Sequence, residues 1–175
     1  MFSRFQCLQA FRAAYAPVMV LRYLISRRWA NASRFAITDD TGTAQFEVKG
    51  RFALTRKLSV CDTGGAEVAV ILRRGLGMGY QILADGRETT VRPRGFLGRR
   101  FEIDSPAGFM EARGNFSGRQ YAITHGGMPA AAVTQLRTLR EQFAVDVADG
   151  QDAVLVLAVV LAIETIRDNR RRASV

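Results

Sequence analysis

Ala153–Ile163 reads AVLVLAVVLAI, eleven apolar residues in a row, and the fold turns on what such a segment can be. Crossing a bilayer takes about 20 apolar residues to cover about 30 Å of hydrocarbon. At about 1.5 Å per residue a helix of this run covers roughly half of that. Asp146, Asp149 and Asp152 close it off before and Glu164 after, so it does not span. Five of the eleven are β-branched, which suits a strand, but strands average about 5–6 residues. Its ends favour a helix. Asp149 and Asp152 stand where an N-cap and a first-turn acid belong, and Arg167, Arg170, Arg171 and Arg172 complement the negative C-terminal end. A helix apolar on every face has to be surrounded by protein.

The preceding chain supplies the surroundings. From Leu21 on, segments of period 2 are punctuated by turn residues, which is the all-β signature. Leu21–Arg28 is a first strand; Phe35–Asp39 turns at Asp40-Thr-Gly42 and returns as Ala44–Lys49. Leu58–Asp62 turns at Thr63-Gly64-Gly65 into Glu67–Leu72, and Tyr80–Ala84 turns at Asp85-Gly86 into Glu88–Val91. Phe101–Asp104 pairs with Phe109–Arg113, Tyr121–Thr124 with Ala131–Val133, and Gln142–Val147 comes last. That makes about twelve strands in short-turned hairpins, and an antiparallel sheet of that size can close around one helix. The expected fold is all-β with one helix: a closed antiparallel barrel of about twelve strands around a buried hydrophobic C-terminal helix.

Composition narrows the chemistry. The 175 residues carry 25 Lys+Arg, 16 Asp+Glu and one His, a formal net charge of +9. That length suits one domain. Lone His125 and the two cysteines, Cys7 and Cys61, are too few for a zinc site or a disulfide scaffold, so a reducing compartment is expected. The charge is uneven: residues 1–38 hold +6, residues 39–166 balance 15 basic against 15 acidic side chains, and residues 167–172 add +3. An acid-free, Arg-rich start could be a targeting helix, but Arg4 and Arg12 fall on the same face as Phe5, Leu8, Phe11 and Tyr15. A secretory signal fails because Arg4, Gln6, Gln9 and Arg12 interrupt the apolar stretch. Residues 1–18 therefore read as an extension outside the domain, a disordered segment or a start assigned ahead of Met19.

The chain resembles the LURP-one-related family of the tubby C-terminal-like group, which also includes phospholipid scramblases. The phrases that carry the resemblance are Tyr23–Arg28 (YLISRR), Phe35–Gly50 (FAITDDTGTAQFEVKG) and Leu58–Ile71 (LSVCDTGGAEVAVI). Arg100–Asp104 (RFEID), Gly114-Asn-Phe116 with Tyr121-Ala-Ile123, and Phe143–Ile166 follow in order. The resemblance covers about residues 20–168 and implies a twelve-stranded barrel around a C-terminal helix; the chain is accordingly divided into a domain over residues 19–169 and, from its arginines, a basic tail at 170–175. It implies no catalytic residues, since the family offers none to carry over by position. Tubby-like relatives bind phosphoinositides through basic surface residues, so the implied activity is non-enzymatic binding or scaffolding at an anionic membrane surface.

Within the balanced body one interval is basic. Residues 73–100 hold Arg73, Arg74, Arg87, Arg92, Arg94, Arg99 and Arg100 against Asp85 and Glu88, a local +5. Arginine forks suit phosphate oxygens. Phe96 and Leu97, at the tip of the Gly95–Gly98 turn, could dip into a headgroup layer. Arg73, Arg74, Arg92, Arg94, Arg99 and Arg100 are thus the candidate lipid or phosphate ligands; the plainer reading is a solvated barrel wall paired with acids. Gly75-Leu-Gly77-Met-Gly79 lacks the Lys-Ser/Thr ending of a phosphate loop and reads as a hairpin loop. His125 reads as a turn histidine, Cys61 as a small buried hydrophobe and Trp29 as packing against a barrel end. No cofactor or metal is expected, and the protein is expected in the cytoplasm, peripheral to the membrane. The alternative is nucleic-acid binding by the basic termini, although Tyr80 and Phe96 are the interval's only aromatics.

Overall fold

The computed structural model describes residues 20–27, 33–50, 57–75, 79–95, 100–138 and 141–173. Twelve strands and one helix follow in order: β1 (Val20–Arg27), β2 (Ser33–Asp39), β3 (Ala44–Lys49), β4 (Lys57–Asp62), β5 (Glu67–Arg74), β6 (Gly79–Ala84), β7 (Arg87–Arg94), β8 (Arg100–Ser105), β9 (Gly108–Asn115), β10 (Gln120–His125), β11 (Met128–Gln135), β12 (Gln142–Ala148) and α1 (Ala153–Ala173). Each strand pairs antiparallel with the next, and β1 closes the ring by pairing with β12 through Val20↔Ala148 to Ser26↔Gln142. Closure leaves no free sheet edge.

Alternation decides which face is inside. Phe35 and Ile37 of β2, Ala69 and Ile71 of β5, Tyr80 and Ile82 of β6, and Phe101 and Ile103 of β8 all point inward and are buried. The five tight turns lie at one end. Two share one design: Asp39 and Asp62 each close a strand, and each accepts hydrogen bonds from the backbone four residues on, Thr43 at 2.9 Å and Ala66 at 2.9 Å. Gly42 (φ 88°) and Gly65 (φ 85°) complete them, which is why the same Asp-to-Gly phrase recurs in the sequence.

The helix fills the ring. Every residue from Leu155 to Arg167 is buried. Asp152 caps it, accepting from the Leu155 amide at 3.0 Å. Asp149 stays in the preceding turn, so the first helical turn carries no acid. The helix also runs past Ile163 to Ala173, because Glu164 and Arg167 find ionic partners inside the barrel and nothing stops the helix there. No described helix is long and apolar enough to cross a membrane. Cys61 is buried and free. His125 ends β10; its Nε2 lies 3.0 Å from the Ala107 carbonyl and its Nδ1 3.1 Å from Gln151 Oε1, tying two turns at the tight-turn end. Cys7, Trp29, Phe96, Leu97 and residues 1–18 lie outside the described residues.

Val159 is fully buried at the barrel axis. An unpaired charge there costs several kcal/mol, comparable to the ~5–15 kcal/mol that holds a domain together. Val159→Asp is therefore expected to give insoluble or unfolded protein, whereas Leu161→Ala should fold with about 2–5 kcal/mol less stability by urea denaturation. A soluble Val159→Asp protein that unfolds cooperatively would contradict the packing.

Candidate functional site

The antiparallel order sorts charge between the two barrel ends. At the tight-turn end stand Asp39, Asp40, Asp62, Asp85, Asp149 and Asp152. The opposite end, called here the mouth, is where odd strands finish, even strands begin and α1 emerges. Arg27, Arg73, Arg74, Arg94, Arg100, Arg119 and the helix residues Arg167, Arg170 and Arg171 all lie there.

Five of the six arginines picked from sequence can be placed; Arg99 lies outside the described residues. Arg92 and Arg94 point outward from β7, on either side of Pro93. Arg94, Arg100 and Arg113 form one cross-strand row on the outer wall, with Glu102 and Glu111 in the row beneath. Arg94 Nε reaches Glu102 at 2.6 Å, Arg100 Nε reaches Glu111 at 2.8 Å, and Arg113 also pairs with Glu111. Arg94 and Arg100 are thus largely committed to neighbouring acids. Arg92, opposite Glu102 in register, has no carboxylate within 4.0 Å among the described residues. Arg74 has one distant partner, Glu88, at 3.9 Å.

Arg73 sits at the rim, in register with buried Tyr80. Burial raises the Tyr80 phenol above its usual range against the pull of Arg73. The Tyr80 hydroxyl accepts a hydrogen bond from Asn169 Nδ2 at 3.0 Å. This bond holds the helix end against β6, and exposed Arg171 with the adjacent Arg170 leaves the barrel at the same end that carries Arg73 and Arg74. Two basic groups far apart in the chain therefore share one end of the barrel.

Beneath them lies a buried ionic cluster that sequence reasoning missed. Arg119, at φ 48° in the β9–β10 turn, points into the mouth and is 4% exposed. It donates to Glu164 at 2.8 Å, Glu141 at 2.5 Å and Gln135 at 2.7 Å, and its guanidinium lies 4.9 Å from the Phe143 ring centre. Arg167 reaches Glu164 at 3.2 Å, and Arg27 binds Asp168 and Glu141. Three arginines face three acids, so the cluster is neutral and ties β1, β10 and β12 to α1. Phe116 folds over it, 4.7 Å from Phe101 and 4.6 Å from Tyr121. The one sequence signal was Glu164 itself: a charge at the end of a fully buried helix needs a partner.

Titration in the cluster follows burial and pairing. Burial raises the Glu164 carboxyl, and Arg167 and Arg119 only partly offset it. Burial works the same way on Glu141, but there the Arg119 hydrogen bond, with Arg27 and Arg167 nearby, wins and holds the carboxyl below the usual range. Burial pushes the Tyr121 phenol well up. Among the described residues no group of three His, Cys, Asp or Glu side chains could hold a metal ion.

The sequence of residues 22–164 matches the family model described as LURP-one-related. Among solved structures, the barrel is similar to the X-ray structure of a protein from Arabidopsis thaliana, at TM-score 0.67 and 18% identity, over 85% of this chain and 91% of that one. At that identity the likeness speaks for the fold alone. No curated protein matches in sequence.

The cluster makes stability depend on acid. Glu141, with its lowered pKa, contributes stability that is present above the ordinary carboxylate range and is lost as pH falls through that lowered value. Glu164, with its raised pKa, has the opposite sign and takes its proton first, which favours the fold. Glu141→Gln is expected to be less stable at neutral pH and to lose stability less steeply between about pH 5 and pH 3. Urea midpoints across that range check this; an unchanged slope would remove Glu141 from the acid response.

Proposed function

The chain belongs to the LURP-one-related family, and on that footing we propose a non-enzymatic binding or scaffold module whose mouth takes anionic phospholipid headgroups. The observation that supports this reading is the antiparallel strand order, which brings Arg73, Arg74, Arg94 and Arg100 to the end of the barrel where the helix-end Arg170 and Arg171 emerge. Among the described members of the set, Arg73 and Arg92 have no carboxylate within 4.0 Å and Arg74 has only Glu88 at 3.9 Å, with Arg94 and Arg100 holding the wall through Glu102 and Glu111. Phosphate oxygens are the natural partners of planar arginine forks. The acids gathered at the other end favour approach by the mouth. On this reading the protein works in the cytoplasm as a peripheral membrane protein. Nucleic acid is the weaker partner, because stacking needs exposed aromatics, and Tyr80, Phe101 and Phe116 at this end are buried.

Co-sedimentation with vesicles tests the reading. Phosphatidylcholine vesicles with added anionic lipid should retain the protein, and pure phosphatidylcholine vesicles should not. Arg73→Glu/Arg171→Glu should weaken retention by about tenfold or more, given roughly 1 kcal/mol per basic residue at an anionic surface and the reversal of two charges. Equal binding to neutral and anionic vesicles would sink the proposal. So would tight retention on DNA with steep salt dependence and none on vesicles.

A further inference from the structure

Cross-strand register places a bare spot on the wall between Arg92, which has no carboxylate within 4.0 Å among the described residues, and Arg74, whose one carboxylate partner is distant Glu88. Arg74 of β5 pairs with Gly79 of β6, and the Tyr80↔Val91 pairing sets Gly79 beside Arg92 of β7. Directly opposed residues share a face, so Arg74 and Arg92 project outward on either side of a position with no side chain. Their Cα atoms are about 10 Å apart, two strand spacings, within converging reach of two arginine side chains. A Cβ built on Gly79 would meet Arg92 Cγ at 3.7 Å, so the Arg92 stem lies over the glycine. Glu102, the nearest acid to Arg92 by register, is taken by Arg94 at 2.6 Å and Arg100 at 3.4 Å.

The geometry points to a phosphomonoester site: Arg74 and Arg92 grip one terminal phosphate over the floor left open by Gly79. This rests on the headgroup reading and narrows it to a ligand chemistry. A phosphodiester offers two free oxygens and a single charge. A monoester offers three terminal oxygens and a charge of about −1.5 to −2 at neutral pH, enough for two forks at once. The same group can come from a lipid such as phosphatidic acid or from a soluble phosphate ester. Glu88, 3.9 Å from Arg74, competes for that arginine and sets the affinity below its ceiling.

The test compares the full chain on vesicles of phosphatidylcholine with phosphatidic acid (a monoester) or with phosphatidylglycerol (a diester), and in solution with glycerol 3-phosphate. Preference for phosphatidic acid, rising from pH 5 to pH 7.5 as the phosphate loses its second proton near pH 6, is expected. Arg74→Gln and Arg92→Gln should each cost about tenfold, the loss of a charge-assisted hydrogen bond. Glu88→Gln should bind about two- to fivefold tighter. Gly79→Val is the sharper probe. Its Cβ fits, with Val91 O at 3.4 Å, and β-branched residues suit strands, so it should melt like wild type yet lose binding. Binding of glycerol 3-phosphate without vesicle retention supports the site and overturns only the membrane reading. Equal binding of both lipids, or unchanged affinity in Gly79→Val and Arg92→Gln, overturns the site. Vesicle binding lost in Arg73→Glu/Arg171→Glu but kept in those two variants leaves the headgroup reading standing without it.

Discussion

Everything in this molecule follows from enclosing a helix that has no polar face. Leu155–Ile163 cannot lie on a surface, because any exposed side would leave several large apolar side chains in water. Nor can one open sheet cover it, since a sheet touches a helix on one side only. A closed ring of twelve strands covers it all round, and the closing pair β1–β12 is therefore as much a condition of the helix as the helix is of the core. The inward aromatic and branched side chains of the strands then complete a single packed interior.

Enclosure has one awkward end. The helix leaves the barrel through a region too dry for free charge, and Glu164 sits there with no exposed surface. The chain meets this by bringing charge inward from the wall: Arg119 from the β9–β10 turn, Arg27 from β1, and Arg167 from the next helical turn. Gly114 contributes a conformational allowance. At φ 143° it lies against Tyr121 so closely that a Cβ would stand 2.6 Å from the Tyr121 Cα, which lets β9 and β10 close over the mouth where Phe116 and Arg119 fold in.

The barrel and its helix were legible in sequence because their signals are local. Alternation, the Asp-to-Gly turns and the unbroken apolar run each act over a dozen residues or fewer. The helix end was not. Glu164 and Arg167 look like the close of an apolar segment until Arg119, 45 positions earlier, is known to be beside them. The candidate site was legible as a stretch of chain and illegible as a surface. Residues 73–100 carry a local excess of arginine, yet register divides them: Glu111, from outside the interval, engages Arg100, while Arg74 and Arg92 are joined through a glycine that carries no charge signal at all. Arg170 and Arg171, counted separately, come to the same end because the helix runs the length of the barrel and leaves it there.

The sorting of acids to the turns and arginines to the mouth also acts at a distance. A barrel with opposite charge at its two ends has a dipole along its axis, and under the proposed headgroup binding the field of an anionic surface would turn it before contact. At physiological ionic strength that field extends over roughly 8 Å, less than the about 20 Å that a six-residue strand spans, so the mouth would feel attraction while the turn end is still screened. Encounters would then begin mostly in one orientation. The search for a productive pose would become a short slide across the surface instead of repeated collisions, and that saving would rest on which ends of the strands hold the turns.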